Sequence, residues 1–182
     1  MEHDLSALAH RLEIQDLIVR YCIAVDDRDL EAVCDLFLPN ATFSSVGKPS
    51  PTGREEIKEY YAARLERYGM TYHYPHGVTI ESLTDESASG VVLAHAEISL
   101  DGELFVVAMR YYDRYARHEG RWVFAERRLQ QFYALPHRDL NSGVAGDLRV
   151  RWPGAEPQQA VLPESLETWE RFVEERQGTR SS

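Results

Sequence analysis

The chain has 182 residues, 43% of them hydrophobic and 27% charged, which suits one globular domain with an extension and leaves no room for a second full domain. Twenty Lys and Arg against thirty Asp and Glu give a net charge of -10, which repels nucleic-acid backbones and anionic membrane surfaces and sets both aside as partners. The opening residues lack the apolar core of a signal peptide, and no uncharged stretch approaches the roughly 18 residues that span a bilayer, so a cytoplasmic location is expected.

In chain order, Ile14, Leu17, Ile18, Tyr21, Cys22 and Val25 recur on one helical face and predict an amphipathic helix over residues 5 to 26. The run Asp26, Asp27, Arg28, Asp29 interrupts it. Asp29 is placed to cap a short second helix carrying Leu30, Val33, Cys34 and Phe37, which Pro39 and Asn40 end. ATFSS suits a short strand. Thr52 with Glu55 three residues later has capping-box spacing and announces a third helix running through Ile57, Tyr60, Tyr61, Leu65 and Tyr68. The two cysteines, Cys22 and Cys34, fall at apolar helical positions and read as small buried hydrophobes.

From Val78 the period changes to two, predicting strands near 76–83, 89–99, 104–116 and 121–133. Asp101-Gly102 and Glu119-Gly120 are the turns between them. Sequential strands with short connections predict an antiparallel meander, so the fold class is α+β: three helices, then a strongly curved antiparallel sheet. Beyond Pro136 the composition shifts to Pro, Gly and Gln. This extension, 136–182 against a domain at 1–135, is expected to be irregular apart from a short strand in DLRVRW and a final helix striped by Leu166, Trp169, Phe172 and Val173. Packing against the domain or a neighbouring subunit is its plain role, and a lid over a pocket mouth its sharper one. The final QGTRSS is a polar end.

No phosphate loop, nucleophile elbow, paired CxxC or HExxH is present, so no nucleotide cofactor or metal is expected. Attention falls instead on polar residues in apolar pattern. Tyr21 lies within the first helix's stripe and Asp26 at its edge. Each reads most simply as an ordinary core tyrosine or helix-end carboxylate. His73 and His76 sit in TYHYPHGVTIE where the chain enters the sheet. His95 is mid-strand in LAHAEIS; turned inward it must find a partner, and alternation leaves inward and outward equal. A zinc site built from these three histidines is disfavoured, since His73 and His76 would point in different directions on extended chain.

The segments IQDLIVRYCIAVDDRDLEAVCDLFLPNATF, YHYPHGVTIES and YYDRYARHEGRWVFAERRL, in this order and spacing, resemble the SnoaL-like branch of the nuclear transport factor two-like superfamily over residues 7 to 133. That resemblance implies a cone of curled sheet closed by three N-terminal helices around an internal pocket, and the superfamily holds dehydratases, a dehydrochlorinase, isomerases, cyclases and non-catalytic members. In scytalone dehydratase, bile-acid dehydratase and hexachlorocyclohexane dehydrochlorinase, an aspartate ending the first long helix pairs with a histidine near the start of the sheet. Asp26 and His73 match these positions. Tyr21 matches a functional tyrosine of the bile-acid dehydratase, and His95 is similar in placement to the second histidine of scytalone dehydratase. Asp27 and His76 are rivals for the carboxylate and imidazole.

The resemblance therefore implies a cofactor-independent, dehydratase-like lyase acting on a hydrophobic cyclic or polyketide-like small molecule. Its catalytic set would be Tyr21, Asp26, His73 and His95. An imidazole removes a proton near neutral pH, a carboxylate on its other nitrogen fixes the tautomer, and a phenol donates to a leaving or developing oxygen. An isomerase or cyclase using the same pocket, and a non-catalytic binding or assembly module, are the alternatives. A homo-oligomer, dimer or trimer, is expected because relatives cover the sheet's outer face with another subunit.

Overall fold

The apolar face formed by Ile14, Leu17, Ile18, Tyr21, Cys22 and Val25 is buried along helix α1, Leu5–Asp26, in a computed structural model that describes residues 5–45 and 50–180. The first four residues and the last two, the end of the polar tail included, lie outside the described residues. Asp29 then caps helix α2, Leu30–Asp35, its carboxylate accepting from the Ala32 N–H at 2.9 Å. Phe37, Pro39 and Asn40, expected to finish that helix, begin strand β1, Phe37–Ser45. Helix α3 spans Arg54–Leu65. Its N-cap is Gly53 at φ 86°, and Glu56 reaches back to the Thr52 N–H at 2.8 Å, one residue on from the expected capping box. β1 therefore separates the second and third helices.

Four long strands follow: β2 Tyr68–Leu83, β3 Ser87–Leu100, β4 Glu103–His118 and β5 Arg121–Pro136. Asp101 and Gly102 have φ of 53° and 78°, and Glu119 and Gly120 have 51° and 79°, the paired positive values that tight hairpins demand. β2 begins eight residues before the expected strand. Pro75 lies inside this strand, which is tolerated because β2 is an edge strand, where a missing N–H costs the ladder nothing. His73 is thereby paired in mid-strand opposite Ala96.

The sheet order is β1-β5-β4-β3-β2, and the sheet is mixed rather than antiparallel. The meander β2 to β5 is antiparallel, but β1 runs parallel to β5, with Phe37 opposite Phe124 and Phe43 opposite Arg127. No hairpin joins those two strands. A long connection leaves strand direction free, so sequential-turn reasoning cannot predict it. β1 and β2 remain as edges, and the sheet does not close into a barrel.

The core lies between the sheet's inner face and the helices, from Ile14, Ile18 and Val25 through Phe37, Phe43 and Ile57 to Val92, Ala96, Val107 and Phe124. Cys22 and Cys34 are buried and unbridged. After β5 come a 3-10 turn at His137–Asp139, helix α4 at Leu140–Gly143, a two-stranded ribbon of β6, Leu148–Arg149, and β7, Gln158–Gln159, and helix α5 at Glu167–Arg180. The extension is tied to β5 by the Ala134 N–H donating to the Val150 carbonyl at 2.7 Å, and Trp152 packs on the core. The expected stripe of α5 is not covered: Phe172 is 49% exposed. Among the described residues, no helix is long and apolar enough to cross a membrane.

Candidate active site

Asp26 is the last residue of α1, and β2 crosses that helix end. Its carboxylate is fully engaged from one side. Oδ2 accepts the His73 backbone N–H at 2.7 Å, while Oδ1 accepts the Thr71 hydroxyl at 2.9 Å and lies 2.7 Å from His73 Nδ1. Thr71 is in turn gripped by Arg28, whose Nη1 donates to the Thr71 oxygen at 2.6 Å and to the Asp26 carbonyl at 3.1 Å. Arg28 reaches back this way because its backbone, at φ 64°, turns sharply after the helix.

A carboxylate is acceptor only, so the short contact puts the proton of the imidazole on Nδ1 and leaves Nε2 with the lone pair. His73 lines a cavity of about 50 Å³ on the inner face of the sheet. Tyr21, Tyr61, Tyr111, Tyr60 and Tyr68 share its lining with Thr71 and Gln131. The Tyr21 and Tyr61 hydroxyls bond to each other. Burial pushes the Tyr21 phenol up to about 12 despite the nearby Arg127 and the bond to Tyr61, and burial also raises Tyr61 well above the ordinary phenol value. Both phenols therefore remain protonated donors at neutral pH.

Beneath Tyr21 lies Arg127, fully buried, its guanidinium 4.1, 4.0 and 4.3 Å from the ring centres of Tyr21, Tyr111 and Phe124. Its Nη2 donates to Asp113 Oδ2 at 3.1 Å, which also accepts from Tyr115 at 2.9 Å. The two charges sit directly opposite each other on β4 and β5. A buried pair of this kind, stacked under aromatic faces, fixes where the Tyr21 ring can lie.

Three of the four residues singled out in the sequence therefore stand around one cavity: Tyr21 and His73 in its lining and Asp26 bonded to His73. His95 does not join them. Its strand neighbours Ala94 and Ala96 are buried, so alternation turns His95 to the opposite face, where its Nδ1 lies 2.7 Å from His76 Nε2 and its ring stacks on Tyr74. The expectation of His95 as a donor in this cavity is corrected accordingly. Asp27 is exposed, and His76 is engaged with His95. Among the described residues, no three His, Cys, Asp or Glu side chains cluster as a metal site.

Sequence reasoning passed over Thr71, Tyr61, Arg127, Arg64 and Trp152. For Arg127 a signal existed, since Arg127 shares inward parity with Leu129 and Gln131, and Asp113 with Tyr111 and Tyr115. For Trp152 the signal was the apolar alternation of DLRVRW, with packing against the domain as its plain reading and a lid as its sharper one, and nothing local named Arg64 as the residue it meets.

A family model described as SnoaL-like domain matches residues 6–128. The chain is 26% identical over 146 residues to a gamma-hexachlorocyclohexane dehydrochlorinase of Sphingobium indicum, covering 79% of this chain and 94% of that protein. The crystal structure of LinA superposes with a TM-score of 0.69 at 25% identity over 73% of this chain and 92% of that one. A scytalone dehydratase-like protein of Novosphingobium aromaticivorans shares the fold at a TM-score of 0.69, with 18% identity over 74% of this chain and 92% of its own.

Proposed function

The chain belongs to the SnoaL-like domain family, and from that premise we propose that it is a cofactor-independent lyase whose base is His73, oriented by Asp26, acting on a hydrophobic cyclic or polyketide-like small molecule. The observation that carries this reading is the 2.7 Å contact of His73 Nδ1 with Asp26, a carboxylate already held by Thr71 and the His73 backbone. Nε2 takes a proton from a substrate carbon, the C–H electrons form the new double bond, and a hydroxide or halide leaves from the adjacent carbon. Asp26 stabilises the imidazolium that results. The Tyr21 and Tyr61 hydroxyls, kept protonated, supply the hydrogen bond to the departing oxygen or halide. A dehydratase is the simplest form of this chemistry, and the similarity to a dehydrochlorinase supports elimination over isomerisation or cyclisation.

The test is elimination from γ-hexachlorocyclohexane and a panel of cyclic β-hydroxy ketones, followed by chloride release and by mass spectrometry. His73→Ala is expected to abolish turnover, and Asp26→Asn to lower kcat by about 10²- to 10⁴-fold. Turnover unchanged in both variants removes the reading.

The narrowness of the cavity favours a second reading, a non-catalytic binding module, because five tyrosines crowd about 50 Å³. Unchanged biological activity in an Asp26→Asn, His73→Ala double variant would decide for it. Tyr72, Tyr74 and Leu93, exposed on the outer side of β2 and β3, support the expected homo-oligomer, which light scattering on the purified protein measures.

A further inference from the structure

Arg64 stands on the last turn of α3 and lines the cavity that holds His73. The residue is half-buried. A permanently charged group moved out of water is ordinarily matched by a carboxylate. Here, among the described residues, none lies within ion-pair distance, although the molecule carries ten more acids than bases. The side chain is held instead by neutral partners. Nη1 donates to the Tyr60 hydroxyl at 2.5 Å and Nη2 makes a long 3.4 Å contact with the Tyr68 hydroxyl. The guanidinium carbon lies 4.3 Å from the centre of the Trp152 ring and 5.2 Å from that of Tyr60.

These contacts leave much of the fork unused. A guanidinium has five N–H donors in one plane, arranged for two parallel bonds to a carboxylate. Two phenols, one at long range, are weak substitutes. Asp26 does not neutralise the site, being spent on Thr71 and His73. Of the other cations nearby, Arg127 is already paired with Asp113, and Arg28 is occupied outside the lining by Thr71 and the Val25, Asp26 and Gly69 carbonyls. Inside an acidic molecule the cavity thus carries an uncompensated positive charge set among aromatic walls.

We infer that the natural ligand of this cavity is an apolar, ring-bearing molecule with an anionic group, a carboxylate or an equivalent oxyanion, and that Arg64 is the residue that selects it. This rests on the reading of the His73 cavity as the substrate site and names the substrate class within it. The anion replaces the phenol contacts of the guanidinium, and the aromatic lining takes the ring. The C-terminal extension enters the same account. A cavity of about 50 Å³ has room for a few waters and not for a ring system. Trp152, stacked on Arg64 and lying 6.1 Å from the Tyr68 ring centre, is the wall contributed by the segment after β5, where the neighbouring regular elements are short. Displacing its ring makes the room, and the ligand anion then takes over the guanidinium that Trp152 covered.

The experiment is calorimetric titration of the full chain with cinnamate and with its neutral isostere cinnamamide, on the unaltered protein and on Arg64→Met, Arg64→Lys and His73→Ala. The unaltered protein is expected to bind cinnamate at least about tenfold more tightly than cinnamamide. Arg64→Met should bring that ratio near one, Arg64→Lys should keep part of it as a point charge without the fork, and His73→Ala should leave it in place. Circular dichroism checks each variant's fold, and Arg64→Lys carries the test if Arg64→Met does not fold. Equal affinities for the two probes, binding of neither at millimolar concentration, or a preference that follows His73 instead of Arg64 overturns the inference. Its failure is separable from failure of the lyase reading. An Arg64-dependent preference without any turnover removes only the lyase, and His73-dependent turnover with no anion preference removes only the role of Arg64.

Discussion

Thr71 contributes a single hydroxyl to the site, yet that oxygen is the joint of its hydrogen-bond chain, accepting from Arg28 and donating to Asp26. Replacement by Val keeps the shape and removes both bonds. A hydrogen bond to a charged group contributes about 1.5 kcal/mol or more, and its loss from the oriented His73–Asp26 pair is expected to lower kcat about tenfold with little change in KM. Steady-state kinetics on the substrate found by the elimination panel measures this, and an unchanged kcat would show that the backbone N–H and the imidazole of His73 suffice to hold Asp26. Tyr21 acts differently. It is positioned by its ring on Arg127 and by its hydroxyl on Tyr61, so its polar atom belongs to the cavity and its body to the core.

Among the elements, α2 and the hairpin turns show how few residues decide where the chain bends. α2 has only six residues, too short to hold itself, and its start depends on the Asp29 carboxylate bonding the Ala32 N–H. Asp29→Ala is expected to cost about 1 kcal/mol, seen as a lower urea midpoint with an unchanged m-value. The loss reaches the site indirectly, because α2 directs the chain into β1 and so fixes Phe37 against the Tyr21 ring and Phe43 in the cavity lining. Cap and turn chemistry is local and was legible in the sequence: the Asp29 cap, the end of α1 at Asp26 and the positive φ values at Asp101-Gly102 and Glu119-Gly120 all follow from nearest neighbours. Where the expectation missed by eight residues, at the start of β2, an edge position tolerated a proline that a central strand would not.

For the molecule as a whole, the buried phenols tie stability to alkaline pH. The Tyr21 phenol is neutral when protonated, and burial holds its pKa at about 12 in the fold against 10 for the ordinary side chain. Below pH 10 both states keep the proton and the contribution is complete. Above it the unfolded chain ionises while the fold cannot, so stability falls as pH rises from 10 to 12, by on the order of 2 to 3 kcal/mol. Denaturant melts at pH 8, 10 and 11.5 check this, and Tyr21→Phe should make the fall smaller by that share, the remainder being carried by Tyr61 and Tyr111, whose phenols burial also raises. At this scale the limits of sequence reading are also clearest. Periodicity by itself determined the α+β order, the buried face of α1 and the hairpins, because those signals act between neighbours a few residues apart; resemblance then pointed to Asp26 and His73. Only the tertiary structure decided that His95 faces away from the cavity, since parity fixes which residues share a face but not which face is inside. It alone decided that β1 joins β5 in parallel, since no tight turn constrains strands so far apart. And it alone brought Trp152 onto Arg64 beside His73, a contact between residues 88 positions apart that burial, rather than any local pattern, assembles.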